Sequence, residues 1–250
     1  MNWNAGRRRG LEMSSRVDWR FLQGPALFGL FCLALLGTGL LGSPQWVMGF
    51  FDNEGRAPVE VVTIWLFWFS IASLWLRWPR TKGEWWQRVL LSLIIVMAII
   101  KETDAHLAWV QPSGLPGATH GTPFKMKFLT NGVNPLKDRL VVLGCFTFFF
   151  AVCGGTLLWY LRRLLTGVWR REAVSWTVGT IGGTGILIQI FDRTPSVLRK
   201  DFGVVMGEQT RALFAAFEEG LELLLPLLIV LAVYQAAKAD RAQEAAWPKA

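Results

Sequence analysis

Six apolar runs, each close to 20 residues long, constrain this chain more than any other feature, because about 20 residues is what a helix needs to cross ~30 Å of hydrocarbon. They cover residues 25–43, 59–78, 89–108, 140–161, 173–192 and 213–234. A bilayer core offers no hydrogen-bonding solvent, so the backbone of each run must satisfy itself, and runs of this length do so as helices. The expected fold class is all-α, a polytopic membrane protein built as a bundle of six transmembrane helices. Its expected organisation is a basic N-terminal segment (1–24), one transmembrane domain (25–236) with a long outer loop at 109–138, and a short tail (237–250). A composition 52% hydrophobic, with 14 Trp, fits a membrane chain.

The net charge of +8 does not point to nucleic acid, because no soluble domain carries it. Lys and Arg instead flank the apolar runs, above all in the short hairpins holding Arg77, Arg80, Lys82 and Arg88 and then Arg162, Arg163, Arg170 and Arg171. With a cytoplasmic N-terminus, 16 of the 26 basic residues fall on the inner side, which predicts both termini cytoplasmic. The acidic residues fall the other way, 12 of 18 at the outer ends of the runs. The first run is long for a signal peptide, and no A-x-A cleavage site follows it, so it reads as an uncleaved helix. Cys32, Cys145 and Cys153 all lie in apolar runs. The latter two are about 12 Å apart along one helix, too far to bridge, and no zinc-ligand spacing occurs. In the fifth run Gly179 and Gly183 form a GxxxG pair, which predicts close packing at the centre of the bundle.

The last run, Leu213–Tyr234, carries Glu218, Glu219 and Glu222 in its first half and then Pro226. Carboxylates in hydrocarbon are costly and mark function by default. Helix rise puts them about 5 to 10 Å below the outer boundary, and at 100° per residue they share one arc of about 100°. Glu102, in the third run, reaches a matching depth and shares a face with His106 four residues on. Asp104 points elsewhere and is expected to pair with Lys101 three residues before it. Pro226 deprives the Glu222 carbonyl of its helical hydrogen bond, placing a free acceptor beside a carboxylate. Glu54, Glu60, Asp192 and Arg193 cluster at the same membrane side, and Lys125 lies in the outer loop.

Three chemistries suit such a site. Glu102, His106, Glu218 and Glu222 could ligate a divalent metal, which would activate water for hydrolysis of an interfacial substrate. Crowded carboxylates could relay protons in a proton- or cation-coupled carrier. Or the site could hold a cationic group of a membrane-protein partner or a second copy, with Lys125 and Arg193 as internal counter-ions. Against all three stands the plain alternative, that the carboxylates cap helices or pair with loop cations. No Walker loop, GxSxG, HExxH or GxGxxG occurs, and no cofactor beyond a candidate divalent metal is implied.

NEGRAPVE, KETDAHLAW, FKMKFL with NPLKDRL, IFDRTPSVLR and FEEGLELLLPLL follow one another in this order. In that order the motifs resemble those of an uncharacterised group of bacterial multi-pass inner-membrane proteins. The resemblance covers about residues 50–236 and implies a bacterial inner membrane. It brings no activity. It marks Glu54, Glu60, Glu102, Asp104, His106, Lys125, Phe128, Asp192, Arg193, Glu218, Glu219 and Glu222. The expectation drawn from residues and resemblance together is a binding or accessory subunit with an acidic site at its outer face.

Overall fold

A computed structural model describes residues 19–52, 57–77, 85–103, 126–130 and 135–246. The described chain is all-α, with no strand among these residues. A 3-10 turn, Trp19–Leu22, leads into α1 (Gln23–Leu41). Then follow α2 (Pro44–Phe51), α3 (Pro58–Arg77), α4 (Trp85–Glu102), the short α5 (Met126–Thr130), α6 (Leu136–Trp169), α7 (Ala173–Asp201) and α8 (Glu208–Ala246).

Five of these stretches are long and apolar enough to cross a membrane: Trp19–Leu41, Pro58–Arg77, Leu136–Trp169, Ala173–Asp201 and Glu208–Ala242. The chain is thus a multi-pass helical membrane protein, but the described residues give five spanning stretches where the sequence predicts six. The difference is α4. Its 18 residues include Arg88, Lys101 and Glu102, and residues 104–108, the end of the expected third span, lie outside the described residues.

Helix α8 is the centre. It packs against α7, α3, α1 and α2, and 56% of its most apolar window is buried, against 6% for α6. A stripe at helical spacing does this work: Ala212, Ala216, Leu221, Leu224 and Leu228 meet Leu35, Val47, Phe51, Val59 and Ile188. A smaller apolar cluster, Phe67, Ile95 and Ile99, ties α3 and α4 to Leu225 and Ile229 of α8. Phe128 of α5 is buried against Val142 of α6. Several polar groups inside the bundle are paired across helices. Thr177 donates to Gln235 at 2.8 Å, and Gln235 donates to Gln23 at 3.1 Å, linking α7, α8 and α1. Gln209 donates to the carbonyls of Gly39 and Gly42, closing the C-terminal end of α1.

Three boundaries depart from the sequence expectations. Ser43 caps α2, its hydroxyl accepting from the Trp46 amide at 3.4 Å with Pro44 at the first helical position, so the expected connector holds a helix. Helix α7 runs through Pro195 to Asp201, nine residues past the expected end at 192. One proline removes one hydrogen bond, and a long helix absorbs that loss. The third departure is the GxxxG pair. Gly179 and Gly183 face outward, and a Cβ at either meets no atom within 4 Å. Helix α7 buries the other side, through Thr177, Thr184 and Ile188, so the pair does not mark a central position.

Glycine does set helix approach elsewhere. A Cβ at Gly24 would lie 2.9 Å from the Thr177 Cα, and one at Gly39 would run into the Leu213 side chain. Gly24→Ala is therefore expected to destabilise the α1–α7 contact by about 1–3 kcal/mol, the usual cost of overpacking. Gly182→Ala, on the open face of α7, is expected to leave stability unchanged or raise it by up to about 1 kcal/mol through helix propensity. Thermal unfolding of both variants in detergent checks the contrast.

Candidate functional site

At the end of the bundle where α4 stops and α8 begins, two helices present carboxylates to each other. Glu102 is the last residue of α4, three residues beyond Ile99 on the apolar face that meets α3 and α8. Glu219 and Glu222 lie three apart on α8, so their side chains share one side of that helix. One carboxylate oxygen from each of Glu102, Glu219 and Glu222 lies within 4.8 Å of the others.

Lys101 closes the cluster. Its ammonium donates to Glu222 Oε1 at 2.5 Å and lies 3.6 Å from Glu102 Oε2. The side chains of Glu102 and Glu222 are only 8% exposed, whereas that of Lys101 is 56% exposed. The lysine stem therefore spans the gap between α4 and α8 from the solvent-facing edge, with its charged end turned in. Among the described residues three carboxyl groups meet the single ammonium of Lys101 here. Beneath the cluster the packing is apolar. Ile95 and Ile99 of α4, Phe67 of α3 and Leu225 and Ile229 of α8 form a continuous floor, one to two turns below Glu102 and Glu222.

The structure sorts the sequence candidates. Glu102, Glu219 and Glu222 come together. Glu218 stands beside them but outside the close triad, whereas Glu219, which the candidate metal set drawn from sequence leaves out, lies within it. Asp192 and Asp52 lie within electrostatic range of Glu218, and Glu60, in the first turn of α3, lies within range of Glu219. Among the described residues Arg193 makes no ion pair to this site. It is exposed on α7, and among the described residues both ion pairs to the glutamates come from Lys101. Lys101 pairs with Glu222 across the bundle, while the expected Lys101–Asp104 pair falls outside the described residues. Glu54, Asp104, His106 and Lys125 lie outside the described residues.

Sequence reasoning missed two features. Spacing assigns Lys101 a local partner, although its place about three turns along an apolar run, next to Glu102, signals an inward charge. Gln235 falls on the same stripe as Leu221, Leu224 and Leu228, and a polar residue on a core stripe implies a buried partner.

Comparison of the chain with protein-family models, with curated proteins and with solved structures gives no match.

Removing one member of the Lys101–Glu222 pair leaves the other uncompensated. Lys101→Met and Glu222→Gln are each expected to lower stability by about 1–3 kcal/mol, below the cost for a fully buried pair because the Lys101 side chain is 56% exposed. The double variant is expected to lose less than the sum of the two by about 1 kcal/mol or more. A double-mutant cycle followed by thermal unfolding in detergent measures this coupling.

Proposed function

We propose that this chain is a six-span bacterial inner-membrane protein with both termini cytoplasmic, acting as a binding or accessory subunit that holds a cationic group at an acidic pocket on its outer face. The observation that carries the reading is the seating of an ammonium, that of Lys101, among Glu102, Glu219 and Glu222. The pocket accommodates an amine already, and its carboxyl groups outnumber that amine. A lysine or arginine of a partner subunit, approaching from the half-exposed edge, would complete the balance. The charge pattern of the loops supports the orientation, and the resemblance to bacterial inner-membrane proteins supports the compartment.

The apolar floor of Phe67, Ile95, Ile99, Leu225 and Ile229 favours a binding site over a carrier, since among these residues it offers no polar path inward from the cluster. A second reading, a metal-dependent hydrolase acting on an interfacial substrate, has one observation in its favour: the three carboxylate oxygens within 4.8 Å of one another. An all-oxygen set of this kind suits magnesium, calcium or manganese better than zinc.

Purification from native membranes in mild detergent, with native mass spectrometry and elemental analysis, separates the two readings. The binding reading expects a membrane-protein partner in fixed stoichiometry, lost about tenfold or more in Glu219→Gln, since a charge-paired contact contributes about 1.5 kcal/mol or more. It expects no stoichiometric divalent metal. A lone chain holding one metal ion, released by Glu102→Gln or Glu222→Gln, would replace it with the hydrolase reading.

A further inference from the structure

Among the described residues, the face of α7 opposite Thr177, Thr184 and Ile188 has no element against it. Gly182 and Gly185 lie there, and a Cβ at either meets no atom within 4 Å. Internal packing explains the missing side chains of Gly24, Gly39 and Gly220, but not of these two, although a mid-helix glycine costs about 0.5–1 kcal/mol. The outcome is a groove of about 730 Å³, lined by Gly182, Gly185, Ile186, Gln189, Ile190 and Arg193 among others. That volume is in the usual range for ligand sites, about 300–1,000 Å³.

The groove follows the helix. Gly182 and Arg193 are separated by about 16 Å of rise. Its glycine and isoleucine part lies within the apolar run 173–192, and its cation lies just past the end of that run, where lipid headgroups begin. Gly182, Ile186, Gln189 and Arg193 fall on one arc of about 60°. Gln189 and Arg193 are both exposed, and among the described residues neither makes an ion pair or a side-chain hydrogen bond. The neighbouring acid, Asp192, is about 100° round the helix and acts on Glu218 instead. The trough is therefore apolar along its length and purely cationic at its mouth, which complements an anion carrying a hydrocarbon tail.

We propose that this groove binds an anionic phospholipid, with the phosphate on Arg193, the Gln189 amide beneath it, and an acyl chain along Ile190, Ile186 and the glycines. A second copy packed through the same face would set Arg193 against its own image near the two-fold axis, with no carboxylate on the arc to separate them. The charge pattern thus favours a lipid over a dimer. The site is distinct from the acidic pocket and depends only on the chain lying in a membrane.

The test uses the full-length protein in detergent, offered phosphatidylglycerol or phosphatidylcholine and read by native mass spectrometry. The wild type is expected to retain one phosphatidylglycerol about fivefold more tightly than phosphatidylcholine, the effect of one well-placed basic residue at a membrane surface. Arg193→Gln is expected to abolish that preference, and Gly182→Leu, at a position where an added Cβ meets no atom within 4 Å, to reduce retention of both lipids. Equal retention of the two lipids by the wild type would overturn the proposal, as would retention unchanged in both variants. A dimer cross-linked through Gly182→Cys across α7, with no lipid retained, would assign the face to a second copy instead.

Discussion

The contact between the Lys101 ammonium and the Glu222 carboxylate, 2.5 Å long, decides how α8 can stand at the centre of a membrane bundle. A helix carrying Glu218, Glu219 and Glu222 beside Leu221 and Leu224 has carboxylates and core residues interleaved along its length. Hydrocarbon does not hold such groups uncompensated. The lysine resolves this from a different helix, 121 residues away in sequence, and joins α4 to α8 at one end. Below it an apolar side-chain cluster, Phe67, Ile95 and Ile99 with Leu225 and Ile229, brings α3, α4 and α8 together.

The remaining polar groups of the bundle follow the same logic with weaker donors. At the far end of α8, Gln235 is buried and is held by Thr177 and Gln23. Near its start Gln209 satisfies the carbonyls of Gly39 and Gly42 where α1 ends. Ser70 donates to the Pro226 carbonyl at 3.1 Å, tying α3 to the helix midway between these points. Helix α8 is therefore fixed by hydrogen bonds at both ends and near its middle. The acidic cluster differs from these points in having more acceptors than donors.

Much of this was legible in the sequence, for identifiable reasons. Membrane helices and their order follow from run length, because the bilayer enforces self-satisfied backbones. The shared arc of the α8 glutamates and their encounter with Glu102 follow from helix period and rise, which need no tertiary information. What escaped depended on contacts between segments. Lys101 has a plausible partner three residues on, and spacing alone gives no sign of the contact it makes with Glu222 across the bundle. The Gly179–Gly183 pair signals a smooth helix surface but not which side of the bundle it faces. Helix α4 reads as a span by length, yet Arg88, Lys101 and Glu102 put three charged residues among its 18.

The central claim is that the carboxylate cluster opens to water at the outer membrane face. Cysteine accessibility tests it most directly. With Cys32, Cys145 and Cys153 replaced by serine or alanine, Glu219→Cys and the exposed Glu208→Cys are labelled in intact spheroplasts with a membrane-impermeant thiol reagent. The account predicts that both positions react from outside without permeabilisation, Glu219→Cys more slowly because it is half-buried. Labelling of either position only after the membrane is opened to the cytoplasmic side would contradict it.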